Sequence, residues 1–391
     1  MPKNPTKKFY EYPLKLWLCY MLSVYGIALE FGFNVSIMNL PEDFIVCWIQ
    51  TVQQNITLIE NITICGDARL FSSDLSSQAL NLYALASSIG AVGAFFGCLL
   101  GAPLADKYGR KNTQIYTATA LILPNILLAS CRMFNAPWIL PFGRFFVGVL
   151  LGICLTVAPV YLNEIAPVGL KGAFGVSFQA GCAFGFCVAT VISLPQVLGS
   201  YELWPWLFLT AGFPVIYILI LGKFCLESPG WLLKEGKVNE AIKAIQAIHG
   251  EDKNLNDIEV LAETDKSMNE VIVHIFKTKP LRRSVLVGCI IMTILNYGGV
   301  NSVFQYSTQT FINAGIPAKS ADYCTIGLNF MNFSACILST IVIERTGRRL
   351  LMLVGLFGMF VMNVLNCVLY GYSDNPQWAF SVSNRAQLQK T

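Results

Sequence analysis

Two short clusters of opposite charge stand out in a chain that carries few charges. Asp106, Gly109, Arg110 and Lys111 follow one apolar run, and Glu344, Gly347, Arg348 and Arg349 follow another. In each, an acid lies three residues before a glycine and two bases come directly after it. The glycine permits a tight turn between helices. The carboxylate can accept hydrogen bonds from a neighbouring helix end, and the arginines present rigid forks to acidic partners. That chemistry suits a latch made and broken between helices. A simple basic anchor would explain the arginines alone, but not the matched acid and glycine.

Other chemistry finds little support. The two histidines, His249 and His274, sit in a polar central stretch with no recognisable partner. Histidine-based catalysis and a metal centre within the apolar runs are therefore not expected, and no cofactor is expected. The polar residues inside those runs are few, among them Glu30, Asn34, Arg144, Gln179, Asn296, Asn301 and Asn332. Polar groups at membrane depth are costly, and each is a functional candidate by default. Hydrogen bonding between helices is the plainer explanation, worth about 0.6 kcal/mol per pair.

The elements that must position these groups follow from composition. Of 391 residues, 54% are hydrophobic and 13% charged, and mean hydropathy is +0.56. Soluble domains carry roughly twice that charge fraction, so lipid must cover part of the apolar surface. A net charge of +4 is too small and too scattered for nucleic-acid binding. A span needs about 20 apolar residues, which predicts about nine: 13–40, 79–103, 113–131, 138–161, 173–196, 205–225, 283–306, 322–343 and 350–371. The first is too long for a cleaved leader. The stretch from Glu227 to about Arg283 shows helical periodicity at Val238, Ala241, Ile242, Ile245 and Ile248 and reads as a soluble helical linker. The expected division is a six-helix bundle over 1–226, a linker over 227–282 and a partial bundle of about three helices over 283–391.

With the N-terminus inside, most of the 27 basic residues fall inside, including Lys107, Arg110, Lys111 and the bases of the linker. The positive-inside rule is satisfied. The segment from Pro41 to about Ser77 then lies outside, and it carries two glycosylation sequons, at Asn55 and Asn61. Cys47 and Cys65 share that segment and can bridge if it is extracellular. The sequence does not fix the connectivity.

The clusters around Gly109 and Gly347 each follow the second span of a half, a weak parallel repeat of six-span units. Here a resemblance becomes specific. Asp106, Gly109, Arg110 and Lys111 resemble the signature of the major facilitator superfamily. Its sugar porters, the animal facilitative glucose transporters in particular, are similar at Gly143-Arg144-Phe145, at Pro159 to Pro167, at Glu227-Ser228-Pro229-Gly230-Trp231, and at Gly299 to Thr308.

The resemblance implies an all-α polytopic membrane protein with a complete N-terminal bundle. It also implies facilitative transport of a hexose or similar polyol by alternating access and no enzyme activity, with a sugar and the bilayer as partners and the plasma membrane as location. It assigns sugar binding to Gln179, Asn301 and Asn332, with Asn34 and Asn296 nearby. It assigns an inside ion-pair network to Asp106, Arg110, Glu164, Glu227, Glu344 and Arg348, with Arg144 in the fourth span. Three departures qualify these assignments. Leu295-Asn296 stands where the glucose carriers have two glutamines, which removes one amide contact. Gly230 replaces an arginine, which weakens the latch. Asn34 replaces the aspartate of proton-coupled relatives, which favours uniport. Glu30, one turn earlier, could pair with Arg144 and supply a proton site. The resemblance stops after the ninth span, so a short, non-transporting or regulatory form is the alternative reading.

Overall fold

The computed structural model describes residues 12–54, 76–167, 170–249, 277–297 and 300–373. It divides into two compact units, Met1–Thr340 and Ile341–Thr391. Among the described residues all regular structure is helical.

The first unit opens with α1, Leu14–Ser36, whose middle, Leu22–Ala28, is a π-helical stretch. Such widened turns often mark functional sites. A short α2, Glu42–Gln53, follows, then the long α3, Ser77–Tyr108. The third membrane-depth segment is interrupted at Leu121 and comprises α4, Arg110–Ala120, and α5, Ile122–Ser130. Next come α6, Ile139–Ile165, and α7, Lys171–Ile192. The sixth segment is likewise divided, into α8, Trp204–Thr210, and α9, Gly212–Gly222. Two short helices start the linker: α10, Pro229–Lys234, and α11, Val238–His249. Then follow α12, Lys279–Tyr297, α13, Val300–Asn313, and α14, Ala318–Thr346. The second unit holds the end of α14 and α15, Arg348–Ser373. Six of the described helical segments are long and apolar enough to cross a membrane.

Small residues bring the helices together, since lipid supplies no hydrophobic drive between them. A Cβ on Gly97 of α3 would collide with the backbone carbonyl of Val149 on α6, and one on Gly152 of α6 with the carbonyl of Ala94. The two backbones are therefore in direct contact, which fixes Arg144 and Glu164 of α6 relative to the end of α3.

The segment after Pro41, for which the sequence predicts no helix, begins as one. Its first part is α2, which buries Phe44, Ile45, Trp48 and Ile49. Trp48 meets Trp204 at the start of α8, ring centroids 5.3 Å apart. The apolar residues at this spacing share one helical face, so the segment folds onto the bundle. Cys47 of α2 is disulfide-bonded. Its expected partner Cys65 and both sequons, Asn55 and Asn61, lie outside the described residues.

Candidate functional site

The charged cluster at the end of α3 is built by a turn. Gly109 has φ +92° and ψ 161°, a conformation that is nearly glycine-only. Gly347, its counterpart in the sequence echo, is also left-handed, with φ +81°. At Gly109 the chain reverses, and Arg110 of α4 turns back onto α3 and α6. Its Nη1 donates to Asp106 Oδ1 at 3.1 Å and its Nε lies 3.2 Å from Glu164 Oε2. Lys234 of α10 approaches Asp106 Oδ2 at 3.6 Å, and Trp231 Nε1 donates to the Asp106 carbonyl at 2.8 Å. Ser228 donates a short hydrogen bond to Glu164 Oε2. Asp106, Arg110 and Glu164 are thus joined as the sequence suggests, with Lys234 as an unforeseen fourth member.

Glu227 plays a different part from the ion pair expected of it. Its carboxylate accepts from the backbone N–H of Lys111 at 2.8 Å and of Asn112 at 3.4 Å, and from Ser228 N–H at 3.0 Å. It caps the N-terminus of α4, where free N–H groups and the helix dipole favour an anion. The carboxylate also occupies the space that a Cβ on Gly109 would need: Glu227 Oε2 would lie 2.5 Å from it. Glu344 lies in α14 and Arg348 opens α15; their side chains are outside the described set. The described part of the network is internal to the first bundle and its linker.

Near the C-terminal end of α1, Asn34 is buried, and its Nδ2 donates to Glu30 Oε1 at 2.7 Å and to the Glu30 carbonyl at 3.1 Å. Arg144 of α6 is buried and donates from Nη1 to the Asn34 carbonyl at 2.8 Å. The Glu30–Arg144 pair considered from sequence is replaced by these contacts: the amide of Asn34 takes the carboxylate, and a backbone carbonyl takes the guanidinium. Gln179 of α7 is exposed. Asn332 of α14 is half-buried, with an unpartnered Nδ2. Asn296 falls at the end of α12 and Asn301 at the start of α13, and their side chains are outside the described set.

The opposite end of the first bundle carries contacts that the sequence reading missed. Asn39, beyond the end of α1, donates from Nδ2 to the Phe304 carbonyl and to Ser307 Oγ, both at 2.9 Å. These acceptors flank Tyr306, where α13 leaves helical geometry (φ −125°, ψ 18°). Asn329 of α14 donates to Thr190 of α7 at 2.7 Å, and Phe186 of α7 stacks on Phe304 with centroids 4.7 Å apart. The first six-helix set is therefore sealed against α13 and α14 at the end remote from Arg110. No motif marks Asn39 or Asn329 in the sequence, although Asn329 precedes the noted Asn332 by about one turn.

Comparison with known proteins bears on this arrangement. The family model described as "Sugar (and other) transporter" matches residues 18–384. The chain belongs to that family. Among curated relatives, the solute carrier family 2 facilitated glucose transporter member 3 of Canis lupus familiaris is 29% identical over 372 residues, covering 92% of this chain and 71% of the relative. The same member from Oryctolagus cuniculus is 31% identical over 361 residues, covering 90% and 69%. Among solved structures, the major facilitator proton:xylose symporter XylE bound to 6-bromo-6-deoxy-D-glucose aligns with TM-score 0.67 at 18% identity, over 86% of this chain and 70% of that one. That likeness concerns the fold. This sugar transporter family member accordingly has the major facilitator architecture, with a six-helix first bundle followed by part of a second.

Proposed function

We propose that the chain is a facilitative carrier of a hexose or similar polyol, not an enzyme. It would work in the plasma membrane by alternating access, with its N-terminus cytoplasmic. The carrying observation is Gln179. Its amide is exposed nine residues into α7, and an amide turned toward lipid at that depth is penalised. It is better explained by a water-filled path between the bundles, where it offers a donor and an acceptor to sugar hydroxyls. Asn332, with its unpartnered amide, would complete the contact from α14, and Asn34, Asn296 and Asn301 would add to it. In this reading the seal at Asn39 is the closed outer gate, and the cluster of Asp106, Arg110, Glu164 and Glu227, with Glu344 and Arg348, governs the inner one.

Uniport is favoured because Asn34, whose amide does not titrate, stands where the resemblance places the aspartate of proton-coupled relatives. A test is equilibrium binding of radiolabelled D-glucose to the purified chain. Gln179→Ala should weaken binding about tenfold, the effect of roughly 1.4 kcal/mol; unchanged binding would remove Gln179 from the site. One observation favours a second reading, proton-coupled symport. Glu30 is buried at membrane depth, and its Oε2 has no hydrogen-bond partner. Sugar accumulation in liposomes driven by an imposed pH gradient, and lost in Glu30→Gln, would establish that reading in place of uniport.

A further inference from the structure

An apolar groove opens on the first bundle away from Gln179 and Asn332. It encloses about 600 Å³ between the end of α5 and the start of α8, within the range of roughly 300–1,000 Å³ typical of ligand pockets. Its wall is apolar, formed by Ile126 and Ala129 from α5 and by Pro205, Trp206 and Leu209 from α8. Its rim carries one base, Arg132, and one acid, Glu202. Trp206 is 57% exposed, and Trp138, six residues after Arg132 in the chain, is 69% exposed. Indoles concentrate where a protein crosses the membrane–water boundary, so the mouth of the groove, with Trp206, Arg132 and Glu202, lies near headgroup depth.

The rim charges are held in place. Arg132 donates from Nη1 to the Tyr201 carbonyl at 2.5 Å, and its guanidinium covers the Tyr201 ring at 4.4 Å. A guanidinium has five N–H donors, so most remain for an anionic group, and phosphate suits that fork. Glu202 is the next residue after Tyr201 and is exposed. One fixed cation and one neighbouring anion above an apolar slot match a ligand with a phosphate, an ammonium and a hydrocarbon chain.

We propose that this groove is a specific site for a single zwitterionic glycerophospholipid. Its phosphate sits on Arg132, its ammonium on Glu202, and one acyl chain lies along Ile126, Ala129 and Leu209. An anionic lipid would gain the first contact and be repelled at the second. A sterol would use the wall and leave both charges unmatched.

The test uses the full chain, stripped of lipid in a non-ionic detergent and titrated with phosphatidylcholine, phosphatidylglycerol or cholesterol, with bound lipid counted by native mass spectrometry. One phosphatidylcholine should bind saturably, at least tenfold more tightly than phosphatidylglycerol. Glu202→Lys, a surface change that leaves the wall intact, should reverse that preference. Ile126→Trp, which fills the slot, should weaken both phospholipids at least tenfold. Equal retention of the two phospholipids by the unaltered chain and by Glu202→Lys would overturn the proposal. So would saturable binding of cholesterol in place of phospholipid, or no saturable binding at all.

Discussion

Replacing Asn39 with alanine should loosen the seal between the first bundle and α13. Asn39 is 2% exposed and gives two hydrogen bonds of 2.9 Å across it, to the Phe304 carbonyl and Ser307 Oγ. Each buried bond contributes a net of about 0.5–1.5 kcal/mol, so losing both weakens the closed arrangement by about 1–3 kcal/mol. At about 1.4 kcal/mol per factor of ten, the opening equilibrium shifts about 5- to 150-fold. Hydrogen exchange measured by mass spectrometry on peptides spanning Val300–Asn313 reads that opening directly. The amides should exchange faster by that factor in Asn39→Ala, while peptides from the α3–α6 interface stay unchanged. Ser307→Ala, which removes one acceptor, should show roughly half the free-energy effect. The double variant should fall short of the sum of the two, because both changes remove the same bond. Unaltered exchange in α13, or full additivity, would refute the assignment of Asn39 as the tie.

Gly109→Ala should destabilise the fold by at least about 1–3 kcal/mol from backbone strain and displace Glu227 from its cap as well. Gly236→Ala, at φ +73° in open space, should cost only the strain, and thermal unfolding of the two in detergent would show the difference. Gly230→Arg should strengthen the inner cluster, since a Cβ there would stand 3.9 Å from the Glu164 carboxyl carbon; a raised Tm that persists in Glu164→Gln would contradict this. Burial, and then the Asp43 charge, push the Glu42 carboxyl up to about 8, with Tyr83 and Tyr306 also facing it. The folded state therefore holds a proton that the unfolded state releases, and stability falls as pH rises from the ordinary carboxyl value toward 8, by at most about 1.4 kcal/mol per pH unit. Glu42→Gln should flatten that slope in unfolding measured between pH 5 and 8, and an unchanged slope would refute the assignment.

The spans were legible because lipid demands long apolar runs, and the turn at Gly109 because an acid, a glycine and two bases recur at Gly347. The helix α2 was not legible. Its 12 residues are too few for a span, and its apolar face is recognisable only once Trp204 is there to meet Trp48. Arg110, Asp106 and Glu164 were grouped through the family resemblance. Charge alone could not reveal that Glu227 caps α4, since the partners are backbone N–H groups whose position depends on the turn before them. Arg144 settled on a carbonyl for a related reason: the carboxylate one turn before Asn34 is already taken by the Asn34 side chain. Asn39 was invisible because its acceptors lie 265 and 268 residues away.

Sugar exchange across a bilayer tests the central claim most directly. Liposomes holding the purified 391-residue chain would be preloaded with unlabelled D-glucose and diluted into a trace of labelled D-glucose, with no pH gradient. The account predicts transient accumulation of label above the equilibrium level, absent with preloaded L-glucose and reduced about tenfold in Gln179→Ala, the loss expected from one missing contact of roughly 1.4 kcal/mol. Uptake no greater than in protein-free liposomes, with the chain folded and correctly inserted, would contradict it.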